Sequence, residues 1–131
     1  MKVEFEVNTS SRLQAIDITN EVNDRLKGIE DGVVLLYVKH TTCGLIVNEA
    51  EEGLMSDYVK WLGRVFPING DYLHNRIDNN GHAHLSSAIV GNSRLLPVSN
   101  GKLDLGTWQR VILLEFDGPR RRVIGLKTAM K

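Results

Sequence analysis

The sequence has few of the residues that mark special classes of protein. Of its 131 residues, one is cysteine (Cys43) and three are proline. A single thiol forms no internal disulfide, so nothing favours an oxidising compartment and we expect a cytoplasmic protein. No run approaches about eighteen uncharged apolar residues, and the first residues alternate apolar and polar side chains. This pattern predicts neither a membrane span nor a signal peptide.

Neither sign of charge is in excess. Sixteen Lys plus Arg balance sixteen Asp plus Glu. Without an overall positive field, we expect neither nucleic acid nor a membrane as a partner. The 42% apolar and 24% charged fractions are typical of a globular protein. No repeat or long linker divides the chain, so we predict a single domain over residues 1–131.

Hydrophobic periodicity predicts strands and helices in mixed order through the first half of the chain. Strands are predicted at residues 3–7, 13–18, 33–38 and 45–47. The run from Val33 to Val38 is continuously apolar, which is typical of a strand covered on both faces. Thr19 is predicted to cap a short helix with apolar positions up to Ile29. A longer helix with an apolar stripe ends at Pro67.

The second half begins with residues 69–81, which are rich in Asn, Asp and Gly and predict an irregular loop of the kind that carries function. A short helix is predicted over residues 83–90. Asn100-Gly101 favours a type I′ turn, hence a hairpin. Residues 108–116 and 123–128 are predicted as a final strand pair joined by Asp117-Gly118-Pro119. The whole pattern predicts an α+β fold, mostly antiparallel sheet with two or three helices.

Histidine is concentrated in one part of the sequence. His74, His82 and His84 fall within eleven positions, and His40 ends a predicted buried strand. Imidazole binds transition metals and titrates near neutral pH, so this arrangement suits a metal or acid–base site. His82 and His84 would diverge by about 200° in a helix, so at most one need belong to the site. Ordinary surface or capping histidines are the alternative.

Other candidates lie in two short segments. Cys43 is close to His40 in the sequence, which would suit a nucleophile. A small buried thiol that packs in the core is the commoner role for such a cysteine. Glu49 follows a buried strand, where partial burial would raise the pKa of its carboxyl toward that of a general base; a helix-start acid is the alternative. Arg120 to Arg122 concentrate positive charge that suits phosphate, or they form a solvated turn. Trp108 is assigned to core packing.

Five sequence blocks follow one another between about residues 33 and 128. They are HTTCGLIVNE, YLHN, DNNGHAHL, NGKLDLGTWQ and EFDGPRRR. In this order they resemble the YjbQ-like family, sometimes described as secondary thiamine-phosphate synthases. The resemblance implies a sandwich-like α+β domain that assembles as a homotrimer, with polar clusters near the subunit boundaries.

The resemblance also implies a set of site residues. The catalytic residues would be His40, Glu49, His74, Asp78 and His84. Substrate would be bound by Thr41, Thr42, Asn48, Asn79, Gln109, Arg120 and Arg122. A divalent metal, Mg or Zn, would be held by His40, His74 and His84. His82 is the histidine least expected in the site, because many family members have proline there.

The activity attributed to the family joins an aminopyrimidine methyl diphosphate to a thiazole phosphate and releases pyrophosphate. Such a reaction requires cations at the diphosphate oxygens. Arg120 to Arg122 and a divalent ion near Asp78 or Glu49 would supply them, and a histidine would protonate the leaving oxygen. The expected partner is a small phosphorylated molecule. The alternatives are a non-catalytic metal- or phosphoanion-binding trimer and a phosphate ester hydrolase.

Overall fold

The computed structural model describes residues 1–129, and it confirms the α+β class. The strands are β1 (Lys2–Asn8), β2 (Gln14–Asp17), β3 (Asp31–Val38), β4 (Cys43–Asn48), β5 (Ser93–Ser99), β6 (Lys102–Leu103), β7 (Arg110–Glu115) and β8 (Arg121–Ala129). The helices are α1 (Thr19–Asp24), α2 (Glu52–Val65) and α3 (Gly81–Val90), and a 3-10 helix covers Leu73–Arg76. In this part of the chain, no helix is long and apolar enough to cross a membrane.

The strands form two antiparallel sheets. Sheet A has the order β1-β8-β3-β5-β6, and sheet B has the order β2-β7-β4. The predicted pairing of the last two long strands is therefore wrong, since β7 and β8 lie in different sheets. Both edges of β7 are occupied, by β2 and by β4, so β8 has no edge of β7 to join. The turn from Asp117 to Arg120 instead carries the chain from sheet B to sheet A.

The two sheets pack face to face around the larger core. Alternate residues of β7, Val111 and Leu113, point toward sheet A, where Leu36, Ile124 and Leu126 meet them. All five side chains are fully buried. The two-residue period of a strand places these residues on one face, which gives the sandwich that the family resemblance implies.

The opposite face of sheet B packs against helices. Ile112 and Leu114 of β7 contact Val59 and Leu62 of α2, and Ala83 of α3 joins the same cluster. Strand β7 is thus buried on both faces, and α3 is fixed against the sheet. The resulting layers are sheet A, sheet B and the pair α2 and α3.

Burial of the predicted third strand differs from expectation. Along β3, Val34 and Leu36 are fully buried, whereas Leu35 points away from the core and is 37% exposed. The helices α2 and α3 cover sheet B, so within residues 1–129 the outer face of sheet A has no covering layer. The expectation that β3 is covered on both faces is therefore wrong for this chain.

Two local predictions about turns and caps have opposite outcomes. Asn100 (φ 54°) and Gly101 (φ 76°) both have positive φ, which confirms the type I′ hairpin between β5 and β6. The prediction that Thr19 caps α1 is wrong. Thr19 is the first helical residue, and the Asp17 carboxylate accepts hydrogen bonds from its N–H (3.0 Å) and hydroxyl (2.7 Å). The helix also ends at Asp24, well before Ile29.

Candidate functional site

An open cavity of about 690 Å³ lies at the end of the sandwich where β3, β8 and the start of α3 meet. We call it the basic pocket. Its lining residues are Lys39, His40, Thr41, Thr42, Asn80, His84, Asp117, Pro119, Arg120, Arg121 and Arg122. Four of them are lysine or arginine and one is a carboxylate, so cationic groups predominate around the opening.

A buried ion pair forms the floor of the basic pocket. Arg122 is 2% exposed, and its Nε donates to Glu115 Oε1 over 2.9 Å while Nη2 pairs with Glu115 Oε2. Nη2 also donates to Thr42 Oγ1 (2.8 Å), and the Thr9 hydroxyl donates to Glu115 (2.7 Å). Burial is the largest single influence and would lower the pKa of Arg122, but the hydrogen bond to Glu115 and the nearby negative charges together raise it. The guanidinium therefore stays charged.

His40 is held as a neutral imidazole at the edge of this floor. Its Nε2 accepts a hydrogen bond from the Val123 N–H over 2.9 Å. A neutral ring that accepts at Nε2 carries its proton on Nδ1. Burial and the nearby charge of Arg122 lower the pKa of His40. His40 is consequently a hydrogen-bond donor through Nδ1 at neutral pH.

His84 lies in the first turn of α3 and contacts His74 of the 3-10 helix. The two rings meet edge to face, with centroids 4.6 Å apart. The Asn80 amide donates to Asp117 Oδ2 (2.9 Å), so its Oδ1 accepts from His74 Nε2 over 2.8 Å. Asp117 also accepts from Arg120 Nη2 (3.0 Å). A continuous series of contacts therefore positions His84 relative to the arginine.

Asp117 remains a carboxylate in this network. Burial would raise the pKa of Asp117, but hydrogen bonds from Asn80 and Arg120 lower it below its ordinary value. The backbone carbonyl of Asp117 accepts a further bond from Arg120 Nε over 2.8 Å. The side chain of Arg120 is thus preorganised beside the cavity.

The three histidines predicted to hold a divalent metal do not form a ligand set in this chain. His40 Nε2 is occupied by the Val123 amide and Nδ1 carries the proton, so no lone pair is free. His74 and His84 together offer two imidazoles. Within residues 1–129, no group of three or more His, Cys, Asp or Glu side chains is arranged to hold a metal ion.

Six predicted site residues do not line the basic pocket; one of them, His74, contacts the lining residue His84. Asn48 ends β4 and Glu49 follows it, at the opposite end of the strand from Thr42, and Glu49 lines a different cavity beside Trp108. Gln109 bonds the Gly106 N–H near that same end. The last two, Asp78 and Asn79, are exposed and do not line the basic pocket. Within one chain, the length of β4 therefore separates Asn48, Glu49 and Gln109 from Thr42 and the basic pocket.

Several residues of the pocket were not among those predicted from the sequence. They are Lys39, Asn80 and Asp117, with Glu115 beneath them. Glu115 carries a recognisable signal, since it is a carboxylate at an inward-facing position of an otherwise apolar strand. Such a residue needs a buried cationic partner. The arginine run seven residues later contains that partner.

Three further residues were expected to lie outside the functional site. Trp108 was assigned to the core, but it precedes β7 and is 72% exposed, so that assignment is wrong. Cys43 is buried, and burial raises its pKa to about 12, so it stays a thiol. His82 is 1% exposed and donates from Nε2 to the Phe116 carbonyl over 2.9 Å. His82 and His84 point to different surroundings, as expected for a helix.

Lowering the pH should destabilise the protein in two ranges. Burial lowers the pKa of both His40 and His82 below the ordinary 6.5. The unfolded chain then binds more protons, so stability present above about pH 6.5 is lost as the pH falls toward the folded-state values. A second loss should begin below about pH 4, because the pKa of Asp117 is lowered from 3.8.

Urea unfolding at about pH 7.5, 6 and 5 measures the first loss. We expect the midpoint to fall across this series, and His82→Gln to show a smaller fall because it removes one of the two buried imidazoles. A midpoint that stays constant or rises toward about pH 5 would contradict the prediction.

Together, the fold and site define an α+β sandwich with a basic, histidine-containing pocket at one end. The family model described as "UPF0047 protein YjbQ-like" matches residues 3–131. The chain therefore belongs to the YjbQ-like family, which confirms the resemblance seen in its sequence blocks.

Individual relatives agree over almost the full chain. A UPF0047 protein of Archaeoglobus fulgidus is 47% identical over 93% of this chain and 97% of its own length. The UPF0047 protein YugU of Bacillus subtilis is 39% identical, with 94% and 95% covered. The crystal structure of a hypothetical protein from Aeropyrum pernix K1 is 41% identical, with a TM-score of 0.96 and coverage of 100% and 99%. The fold thus recurs in solved relatives.

Proposed function

We propose that this protein is a transferase acting on small phosphorylated molecules in the basic pocket, and that its reaction is thiamine phosphate formation. The observation that supports the proposal is the convergence of Lys39, Arg120 and Arg121 on one open cavity that also contains His40 and His84. Guanidinium and ammonium groups are the usual ligands of phosphate oxygens in proteins.

The cationic side chains at the rim are free to exchange partners. Lys39 pairs with Glu4 (2.5 Å) and Arg121 with Glu6 (3.3 Å), and all four side chains are at least 40% exposed. Exposed pairs of this kind contribute little to stability, so a phosphate group can compete for the cations. The buried pair of Arg122 and Glu115 keeps the floor fixed meanwhile.

The proposed reaction breaks the bond between the pyrimidine methylene carbon and the diphosphate oxygen. The electron pair leaves with pyrophosphate, and the thiazole nitrogen forms the new bond to the methylene carbon. Arg120 and Lys39 would stabilise the charge that develops on the departing oxygens. His84 would donate a proton to the leaving oxygen, while Nδ1–H of His40 would donate a hydrogen bond.

We further propose that the protein assembles as a cytoplasmic homotrimer. Exposed apolar side chains on two neighbouring elements support assembly; they are Leu73 and Ile77 at the 3-10 helix and Leu85 and Ile89 of α3. Exposed apolar groups in one region are typical of subunit interfaces. Light scattering during size-exclusion chromatography should give three times the chain mass, and the mass of one chain would contradict the trimer.

The purified full chain should form thiamine phosphate and pyrophosphate from the aminopyrimidine methyl diphosphate and the thiazole phosphate. Parallel reactions with Mg²⁺, Zn²⁺ or a chelator test the predicted divalent cofactor. Arg120→Ala should reduce turnover by about a hundredfold or more, because it removes a preorganised charge at the diphosphate. Arg64→Ala, an exposed arginine of α2 outside the basic pocket, is the matched control and should leave turnover unchanged.

The other outcomes separate the alternatives. Absence of thiamine phosphate under every metal condition would contradict the synthase. Phosphate binding without turnover would indicate a non-catalytic phosphoanion-binding protein, and orthophosphate release from one substrate alone would indicate a hydrolase.

A further inference from the structure

A second, smaller cavity adjoins the basic pocket. It has a volume of about 370 Å³ and is lined by Thr41, His84, Ser87, Ala88, Gly91 and Asn92. We call it the side pocket. Thr41 and His84 line both cavities, so the two spaces meet at these side chains.

The two cavities differ in chemical character. The basic pocket is surrounded by lysine and arginine, whereas no lysine, arginine, aspartate or glutamate is among the described residues that line the side pocket. The hydroxyl of Ser87 is already engaged, since it donates to the Cys43 carbonyl over 2.7 Å. The side pocket is thus suited to a weakly polar group and poorly suited to a second phosphate.

Small residues create this space on a rigid support. The Gly91 carbonyl accepts from the Leu45 N–H (3.0 Å), which joins the end of α3 to β4. The contact is so close that a Cβ on Gly44 would lie 2.8 Å from the Gly91 carbonyl oxygen. Ala88 stands at the exposed side of the helix with only a methyl group. A larger side chain at residue 88 would therefore occupy part of the side pocket.

We infer that the side pocket receives the organic group of a phosphate ester whose phosphate lies in the basic pocket. The inference rests on the proposed function and extends it to the position of the organic group, which the side pocket limits to a small, weakly polar one. The ester linkage would pass between Thr41 and His84, which places the imidazole next to the bond that breaks. The volume is near the lower limit of small-molecule sites, so large organic groups are excluded.

Isothermal titration calorimetry with inorganic phosphate, butyl phosphate and benzyl phosphate tests this inference on the full chain. We expect both esters to bind about tenfold more tightly than inorganic phosphate, which corresponds to burial of roughly 60 Å² of apolar surface. Ala88→Leu should fill the side pocket and remove this advantage while leaving the affinity for inorganic phosphate unchanged. Ala88 is exposed in the chain, so the variant should fold; because Ala88 lies on the face of α3 that carries Leu85 and Ile89, light scattering should show the wild-type assembly.

The matched control is Lys60→Leu, which also adds an exposed leucine to a helix but lies outside both cavities. It should retain the preference for esters. Equal affinities of the wild type for the esters and for inorganic phosphate would overturn the proposed role of the side pocket alone. An equal loss of affinity for all three ligands in Ala88→Leu would do the same. If none of the three ligands binds, the basic pocket of the proposed function is overturned and the side pocket with it.

Discussion

Replacing Arg122 with methionine should lower the free energy of unfolding by about 3–5 kcal/mol. The change removes the guanidinium that pairs with Glu115 and leaves that carboxylate in a fully buried site between the sheets. Two bonds from the Thr9 hydroxyl and the Asp117 N–H remain, but neither neutralises the charge. Urea denaturation followed by circular dichroism measures the loss.

A second variant separates the charge effect from the packing effect. The double change Arg122→Met with Glu115→Leu should be more stable than Arg122→Met alone, because no uncompensated charge remains. Arg121→Met is the matched control one residue away; its exposed pair with Glu6 should contribute less than about 1 kcal/mol. The prediction is wrong if Arg122→Met and Arg121→Met cost the same.

The local elements follow closely from residue patterns. The Asn100-Gly101 turn and the long helix ending before Pro67 depend on interactions within a few residues, which periodicity and turn chemistry capture. The burial of β3 and the separation of β7 from β8 depend on which layer or strand lies alongside. An apolar run such as Val33 to Val38 does not specify which layer covers it, so the prediction that β3 is covered on both faces is wrong. Neither does the order of strands along the chain specify which sheet each strand joins, so the predicted pairing of β7 with β8 is also wrong.

The candidate site likewise combines features that the sequence predicts with features that it does not. His40, Thr41 and Thr42 lie beside Arg120 and Arg122 because β3 and β8 are antiparallel neighbours in sheet A. The last residues of β3 are therefore next to the first residues of β8. The sequence blocks alone do not show that Asn48, Glu49 and Gln109 lie at the end of sheet B away from the basic pocket, because their position depends on the direction in which β4 runs. Arg122 was predicted to bind substrate, and the structure places it beneath the pocket, where its contacts hold Thr42.

His84→Ala should reduce thiamine phosphate formation by about a hundredfold or more and leave the melting temperature nearly unchanged. The reduction follows from loss of the proposed proton donor. The stability is retained because His84 is only partly buried and its ring contacts His74 edge to face without a hydrogen bond in the described chain. Added imidazole should restore part of the activity, which a purely structural role would not allow.

His82→Ala is the matched control two residues away and should behave in the opposite way. It leaves the Phe116 carbonyl without its donor and opens a cavity beside the apolar cluster between sheet B and the helices, at a cost of about 2–4 kcal/mol. Turnover per folded molecule should stay near the wild-type value, because His82 does not line the basic pocket. If His84→Ala unfolds the protein while its folded fraction remains active, His84 supports the fold and the proton donor must be sought elsewhere.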